Sequence, residues 1–200
     1  EAVSGPIWLG QTNLAGDGQA DLKYHGGPDK AVNLYPVEHY PHWASQLKLP
    51  ELANGDFGEN FTTSGLLETT ACIGDILAIG QALIQLSQPR QPCWKLARRW
   101  RIKNLARCVQ QSGRTGWYFR VLREGEVAAG LPFSLVDRPY PEWTVALAND
   151  IMHHRTTDRD QAGRLAECPA LSSSWRDTLA RRARTGSVVD PTPRFDGPNG

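Results

Sequence analysis

The 200-residue sequence predicts a mainly β fold with helices, in which a barrel-like β domain precedes a C-terminal three-helix segment. Its 19 glycines and 14 prolines fall between short apolar runs, which is typical of many short strands joined by turns. After Pro139 the composition shifts and three helical stretches follow one another. We therefore predict a β domain over residues 1–138, a three-helix segment over 139–186 and a mobile tail over 187–200.

In the first half of the β domain, strands are expected to alternate with loops. Residues 1–9 predict a strand or extended segment, whereas the glycine-rich stretch 15–35 predicts mainly loop. A short helix is predicted over 37–49, where apolar and aromatic residues recur at near-helical spacing. Residues 73–87 then predict two strands around Gly80, a hairpin of the kind that builds barrels.

Beyond residue 93 the hydrophobic period changes to that of a helix. Four apolar residues at spacing i, i+3, i+4 and i+7 predict an amphipathic helix that ends at Gly113: Ile102, Leu105, Ala106 and Val109. Strands are predicted again over 116–122, 127–130 and 133–138.

The three predicted C-terminal helices need a surface to pack against. Asp158 and Ser172 to Ser174 are suitable N-cap residues, and Gly186 is a suitable helix stop. One apolar stripe consists of Val145, Ala148, Ile151 and Met152. Three short helices bury too little apolar surface to fold alone, so we expect them to dock on the barrel or on a second subunit. A homodimer is therefore one of two arrangements left open.

Charge and apolar content exclude several classes of protein. The net charge of +1 gives no global field for nucleic acid, so any anion site must be local. No apolar run approaches the roughly 18 residues that cross a bilayer, and we find no signal peptide. Because the chain starts at Glu1 and its one methionine is Met152, we expect the native start, with any targeting segment, to lie upstream. We expect no specific nucleic-acid partner and no membrane association.

The four cysteines are predicted to be reduced thiols. They form no C-x-x-C pair, which argues against a zinc or iron–sulfur site, and a chain of this length needs no disulfides. This favours a cytoplasmic protein. Cys72 is expected in the core, and Cys108 and Cys168 are assigned no chemistry. The pairs His39/His42 and His153/His154 lack further ligands at metal spacing and are interpreted as surface or packing residues.

Cys93 is the residue most strongly marked for chemistry. Pro89 and Pro92 prevent the preceding strand from continuing, and helix formers follow the cysteine. The thiol is therefore predicted at a strand-to-helix junction, where amide groups and Arg90 favour the thiolate. A thiolate binds a soft metal or attacks an electrophile. The alternative is a buried structural cysteine.

Two glycine-containing loops are candidate anion sites. Gly26 and Gly27 permit consecutive amides to turn toward one anion, Lys30 adds positive charge, and His25 can donate a hydrogen bond or shuttle a proton. The alternative is a glycine turn beside a surface lysine. In the second loop Gly58 permits an unusual turn, and its neighbours Glu59 and Asn60 supply polar groups. Its alternative is an Asx-type loop.

In this order, several segments resemble the MOSC domain proteins of the YiiM type. They are "GDGQADLKYHGGPDKAVNLYPVEHYPHW", "FGENFTTSGLLE", "ALIQLSQPRQPCWKL" and "SGRTGWYFRVL". Residues 139–186 resemble the C-terminal three-helix segment of the same proteins. The resemblance covers nearly the whole chain from Asp17 onward, and its specificity lies in the ordered set rather than in any one motif.

The resemblance implies a MOSC β-barrel related to the pyruvate kinase barrel, and a molybdenum cofactor that carries its metal on a pyranopterin dithiolene with a phosphate. The cysteine of the family's Q-P-R-x-P-C motif falls on Cys93, which would be the metal ligand. The residues that would hold the cofactor are Gly26, Gly27, Lys30, Asn33, Glu59, Asn60 and Arg90. A cysteine-rich ferredoxin-like extension of some relatives is not seen, so a separate reductase would donate electrons.

The implied activity is reduction of N-hydroxylated bases or amines such as 6-N-hydroxylaminopurine, with Cys93 anchoring the metal and His25 donating a proton. One alternative is a non-catalytic carrier of molybdenum cofactor or sulfur, and another is a thiol-only enzyme with Cys93 as nucleophile. Two departures from the family stand out. The upstream strand is short, so part of the N-terminal barrel edge is expected to be missing, and Leu131 replaces a frequent aspartate. Neither is expected to touch the pocket.

Overall fold

The computed structural model describes residues 3, 5–18, 26–49 and 52–197. Its strands are β1 Ile7–Leu9, β2 Val32–Pro36, β3 Phe61–Thr63, β4 Ile76–Ile79, β5 Ala82–Pro89, β6 Trp117–Arg123, β7 Gly125–Val127 and β8 Ser134–Asp137. Its α-helices are α1 Tyr40–Leu47, α2 Trp94–Trp100, α3 Leu105–Ser112, α4 Val145–His153, α5 Arg159–Ala166, α6 Ser173–Thr185 and α7 Thr192–Asp196. Within these ranges no helix is long and apolar enough to span a bilayer.

Six strands form one curled mixed sheet in the order β3-β2-β6-β5-β4-β8. The β2–β3 pair is parallel and the other pairs are antiparallel, while β1 and β7 form a separate antiparallel pair. The predicted mainly β fold with helices is confirmed, with the sheet as a half-barrel. Pairing of Gln88 with Tyr118 brings the end of β5 beside the start of β6, which positions the site described below.

The predicted hairpin is formed by β4 and β5, which meet at Gly80. Gly80 has φ +55°, and a Cβ there would lie 2.4 Å from the carbonyl oxygen of Glu126. A side chain would therefore clash with the backbone of the β6–β7 region, so the tight turn requires glycine.

The C-terminal helices dock on the barrel, one of the two arrangements expected. Val145, Ala148 and Ile151 of α4 are buried in the same apolar cluster as Ile84 and Leu86 of β5. Backbone hydrogen bonds join the two parts, from Ile73 N to Trp143 O (2.8 Å), from Val145 N to Ala71 O (2.9 Å) and from Ser172 N to Ser87 O (2.8 Å). Asp158, Ser172 and Gly186 occupy the predicted cap positions.

Three boundaries in the β domain differ from the prediction. The stretch 15–35 was expected to be mainly loop, but Val32–Pro36 is a strand whose five residues are all buried. The strand predicted over 127–130 instead spans Gly125–Val127, and Ala129 and Gly130 form a turn. The predicted amphipathic helix begins at Leu105, because Arg101 adopts a left-handed conformation (φ 56°) that ends α2.

The tail also differs from the prediction of a mobile end. Residues Thr192–Asp196 form α7, which packs beside α2. Phe195 is buried, and a Cβ on Gly197 would lie 2.7 Å from the ring of Trp94. This part of the tail therefore belongs to the folded domain.

Candidate active site

A cleft of about 1660 Å³ opens beside the ends of β5 and β6. Its lining includes six of the residues predicted to form a pocket: Lys30, Asn33, Glu59, Asn60, Arg90 and Cys93. Gly26 and Gly27 precede the turn that carries Lys30 but do not line the cleft. His25, the predicted proton donor, lies outside the described residues.

Cys93 is the residue immediately before α2, with an extended backbone (φ −129°, ψ 173°). The predicted strand-to-helix junction is therefore confirmed, and the half-buried thiol lines the cleft. None of the four cysteines forms a disulfide. Cys72 and Cys168 are buried, and burial raises the pKa of both thiols. Cys108 lies half-buried on α3, away from the cleft lining.

Arg90 links the thiol loop to β6. Its backbone amide donates to the carbonyl oxygen of Gly116 (3.0 Å), and its guanidinium donates a hydrogen bond to the hydroxyl of Tyr118. Burial raises the pKa of Tyr118, the charge of Arg90 opposes this shift, and the nearby Cys93 reinforces it. Tyr118 also lines the cleft, so a neutral phenol, a guanidinium and a thiol share one wall.

Tyr118 was not predicted as a site residue, although the sequence held a signal. In β6, Trp117, Phe119 and Val121 are buried, while Tyr118 and Arg120 project to the opposite face. The alternation of a strand therefore separates core residues from residues that face polar groups. Arg120 pairs with Asp29 (2.8 Å), beside the Lys30 turn.

The Lys30 turn is fixed to the barrel by polar contacts. Ser87 donates its hydroxyl to the carbonyl oxygen of Asp29 (2.6 Å), and Lys30 N donates to Gly27 O (3.0 Å). Gly27 has φ +97°, as the predicted glycine turn requires. Burial lowers the pKa of the Lys30 ammonium, and Asp29 acts in the opposite direction. The turn thus presents Lys30 to the cleft from a rigid support.

Asn33, Glu59 and Asn60 line the cleft next to Tyr118, because Asn33 pairs with Tyr118 across β2 and β6 and its side chain donates to the carbonyl oxygen of Gly58 (3.2 Å). The side-chain amide of Asn60 also donates to the carboxylate of Asp17 (2.9 Å). The amides of Asn33 and Asn60 donate to each other's side-chain oxygens, both at 2.9 Å. The Glu59 carboxylate accepts from Gly55 N (2.9 Å), Phe57 N (3.0 Å), the Thr62 hydroxyl (3.0 Å) and the Tyr40 hydroxyl. These contacts hold the loop, and binding roles for the three residues stay a prediction.

The two departures from the family pattern reach the cleft, contrary to expectation. Ile7 of the short first strand and Leu131 both line it. They are apolar and add to a rim that includes Phe61 and Phe133, whose rings meet edge to face at 5.4 Å. Thr63 also lines the cleft, and its buried hydroxyl has no hydrogen-bond partner among the described residues. The cleft lining therefore combines polar and apolar side chains.

A tail residue braces the thiol loop from outside the cleft. Arg194 donates hydrogen bonds to the carbonyl oxygen of Pro92 and to the side-chain oxygen of Gln110. Burial lowers the pKa of Arg194 to about 10, and the neighbouring Cys93 acts in the opposite direction. Because Arg194 lies about a hundred positions after Pro92, no local pattern in the sequence signals this contact.

The histidine pairs are packing or surface residues, as predicted. His39 is buried against Glu68 (Nε2 to Oε2, 2.8 Å), and His153 packs edge to face on Trp175 with ring centroids 6.0 Å apart. His42 is half-buried with its ring edge to face on Trp43 (ring centroids 4.8 Å apart), and His154 is exposed. Across the described parts of the chain, no three His, Cys, Asp or Glu residues are grouped to hold a metal ion.

Comparison with known proteins places these features in a family. The MOSC domain family matches residues 21–134, and the YiiM-like 3-alpha helix domain matches residues 143–186. The uncharacterized protein YflK of Bacillus subtilis is 47% identical over 88% of this chain and 79% of its own length. Protein YiiM of Escherichia coli is 42% identical over 98% of this chain and 88% of its own length.

A protein of Gibberella moniliformis named "Reductase" is 36% identical over 93% of this chain, which spans 34% of that relative. The crystal structure of YiiM from Escherichia coli superposes with a TM-score of 0.88 at 38% identity, and covers 98% of this chain and 93% of its own. The matched domains run in the same order as the half-barrel and the docked helices. This protein therefore belongs to the MOSC domain family and, within it, to the YiiM-like proteins with a C-terminal three-helix domain.

Proposed function

We propose that this protein is a molybdenum cofactor-dependent reductase of N-hydroxylated bases or amines, such as 6-N-hydroxylaminopurine. The observation that carries the proposal is the meeting of Cys93, Arg90, Lys30 and Tyr118 on one cleft. Two further findings support it. MOSC domains are generally a molybdenum cofactor-binding family, and one relative is named a reductase.

The residues of the cleft fit this cofactor. In this cofactor the dithiolene sulfurs already bind the metal, and the protein would add one thiolate. Cys93 can supply that soft ligand. Arg90 and Lys30 can bind the phosphate and other anionic oxygens. The volume of about 1660 Å³ exceeds the roughly 300–1,000 Å³ typical of small-molecule sites, so a cofactor and a base fit side by side. The Thr63 hydroxyl, for which the described part of the chain offers no partner, can donate a hydrogen bond to either group.

The chemistry divides between the cofactor and the chain. When bound, the cofactor supplies the two-electron redox change. Conversion of an N–OH group to N–H takes two electrons and two protons and releases water, and the electrons come from a separate reductase. Cys93 holds the metal, and Arg90 and Lys30 hold anionic groups. The Tyr118 hydroxyl, oriented by Arg90, can donate a proton to the departing hydroxyl, the role predicted from the sequence for His25.

The metal-ligand role is tested with Cys93→Ser. We expect molybdenum content and turnover to fall to background while the thermal unfolding midpoint stays near that of the wild type, because serine removes the soft ligand and little volume. Cys108→Ser is the matched control, since Cys108 is also half-buried but does not line the cleft. Full molybdenum and full turnover in Cys93→Ser would contradict the assignment.

The same preparations separate the proposed reductase from the other two hypotheses. Transfer of bound cofactor to an acceptor apoenzyme, without turnover when a reductant is supplied, would favour a carrier protein. Turnover by metal-free protein that is lost in Cys93→Ser would favour a thiol-only enzyme. The proposed function expects turnover that follows the molybdenum content of each preparation.

A further inference from the structure

Positive charge is concentrated in the part of the chain that carries Cys93. Residues 76–123 contain ten Lys or Arg and no Asp or Glu, although the net charge of the whole chain is only +1. The remainder carries 12 basic against 21 acidic residues. A near-neutral protein therefore contains a strongly basic segment, and such a segment creates a local field that the net charge conceals.

Half of these cations are exposed on α2, on α3, which contacts it, and on the connection between the two helices. We call these five residues the basic face: Arg98, Arg99, Arg101, Lys103 and Arg107. Among the described residues, acidic side chains beside this face include Asp56, paired with Arg99 (3.2 Å), and Asp190, which lies near Arg107. Exposed pairs of this kind neutralise little of the field, because water screens them.

The basic face adjoins the proposed redox site. Helix α2 begins directly after Cys93, and Arg99 lines the cleft together with the thiol. With a rise of about 1.5 Å per residue, α2 is only about 10 Å long. A partner docked on the basic face therefore lies beside the thiol loop rather than across the molecule from it.

We propose that the basic face docks the acidic surface of a flavoprotein that delivers electrons to this site. The proposal rests on the proposed function, in which each reduction of N–OH to N–H and water consumes two electrons and two protons. A reduced flavin in the partner supplies the two electrons and becomes oxidised, and the protons come from solvent through the cleft. Opposite charges speed and orient such encounters.

The size of the face favours a redox protein over nucleic acid. Weak electron-transfer complexes bury less than about 1,200 Å², a patch that two short helices can provide. A nucleic acid needs contacts repeated along its backbone phosphates. A partner bound beside the cleft is also close to the proposed redox site. Electron transfer requires this proximity, whereas nucleic-acid binding does not.

The test reverses two charges outside the cleft, in the variant Arg98→Glu/Lys103→Glu. Turnover of cofactor-loaded protein is measured with flavodoxin, recycled by its NADPH-dependent reductase, and separately with reduced benzyl viologen. We expect the KM for flavodoxin to rise at least about tenfold and its dependence on salt to weaken, because steering is lost. Turnover with viologen should stay within about twofold of the wild type, since a small donor needs no docking face.

The control is Arg181→Glu/Arg184→Glu, which makes the same charge change at exposed positions on α6. The docking proposal would be overturned by an unchanged KM for flavodoxin in the test variant or by an equal rise of that KM in the control. It would also be overturned if viologen, but not flavodoxin, supported turnover of the wild type. Oligonucleotide binding at about 0.15 M salt that the variant loses, with flavodoxin kinetics unchanged, would assign the face to nucleic acid and also overturn it. No turnover of loaded wild type with viologen would instead refute the proposed function.

Discussion

At the scale of the residue, the proposed proton donor is the Tyr118 hydroxyl, which lines the cleft. It accepts a hydrogen bond from Arg90, and burial raises its pKa above the ordinary value near 10. A phenol with a raised pKa keeps its proton throughout the neutral range. It can therefore act as a general acid without changing its charge between turnovers.

We expect Tyr118→Phe to lower turnover by about 10²–10⁴-fold while molybdenum content stays unchanged, because only the proton donor is removed. The pKa shift is upward, so the wild type should lose no activity through ionisation of this phenol below about pH 10. Tyr140→Phe is the control, since Tyr140 packs on the apolar core. Full activity in Tyr118→Phe combined with loss in His25→Ala would assign the proton to His25.

The site residues differ in how far the sequence could predict them. Cys93 and Arg90 were accessible because prolines and charges lie next to them in the chain. Tyr118 could have been predicted only from the alternation of buried and half-buried residues along β6. That prediction also needed to know which face of the strand turns toward the site. Arg194 was inaccessible, because its contact with Pro92 joins segments that only the complete fold brings together.

At the scale of the element, helix ends were predicted better than strand ends. Asp158 accepts a hydrogen bond from Gln161 N (3.0 Å) at the start of α5, as its N-cap position requires. β2 was missed because all five of its residues are buried, so the polar alternation that marks a half-exposed strand is lacking. The split between α2 and α3 was not predicted, because the left-handed residue that ends α2 is Arg101 and not the glycine that usually marks such a position.

We expect Asp158→Ala to lower the free energy of unfolding by about 0.5–2 kcal/mol, because it leaves an amide at the start of α5 without its acceptor. The measurement is equilibrium urea denaturation. Asp160→Ala is the control, since Asp160 is exposed in the first turn of the same helix. It should cost less, through the helix dipole alone. Equal losses in both variants would show that the cap hydrogen bond contributes nothing specific.

At the scale of the whole molecule, one core joins the half-barrel to the C-terminal helices. The apolar stripe of α4 predicted that the helices dock, but left open whether they dock on the barrel or on a second subunit, because periodicity shows that a face is buried and not what covers it. His153 lies near this junction. Burial, with the charges of Arg194, His154 and Arg182, lowers its pKa to about 3, and within the described ranges its Nε2 has no hydrogen-bond partner.

This histidine should make the fold sensitive to acid. In the unfolded chain its pKa is near 6.5, so between pH 6.5 and 3 the unfolded state binds the additional proton. The titration of His153 therefore leaves the free energy of unfolding unchanged above pH 6.5. Below pH 6.5 it lowers this free energy by up to about 1.4 kcal/mol for each pH unit. We expect His153→Leu to reduce this slope, measured by urea denaturation at several pH values. The exposed His154→Leu should leave it unchanged, and an identical slope in His153→Leu would refute the assignment.

The contact between Arg194 and Pro92 also sets an order of events during synthesis. The thiol loop is made roughly a hundred residues before the arginine that braces it. At ribosomal rates of about 5–20 residues per second, the loop waits some 5 to 20 seconds for that contact. Any role of Cys93 that depends on the braced loop can therefore begin only after Arg194 has been synthesised and has reached Pro92.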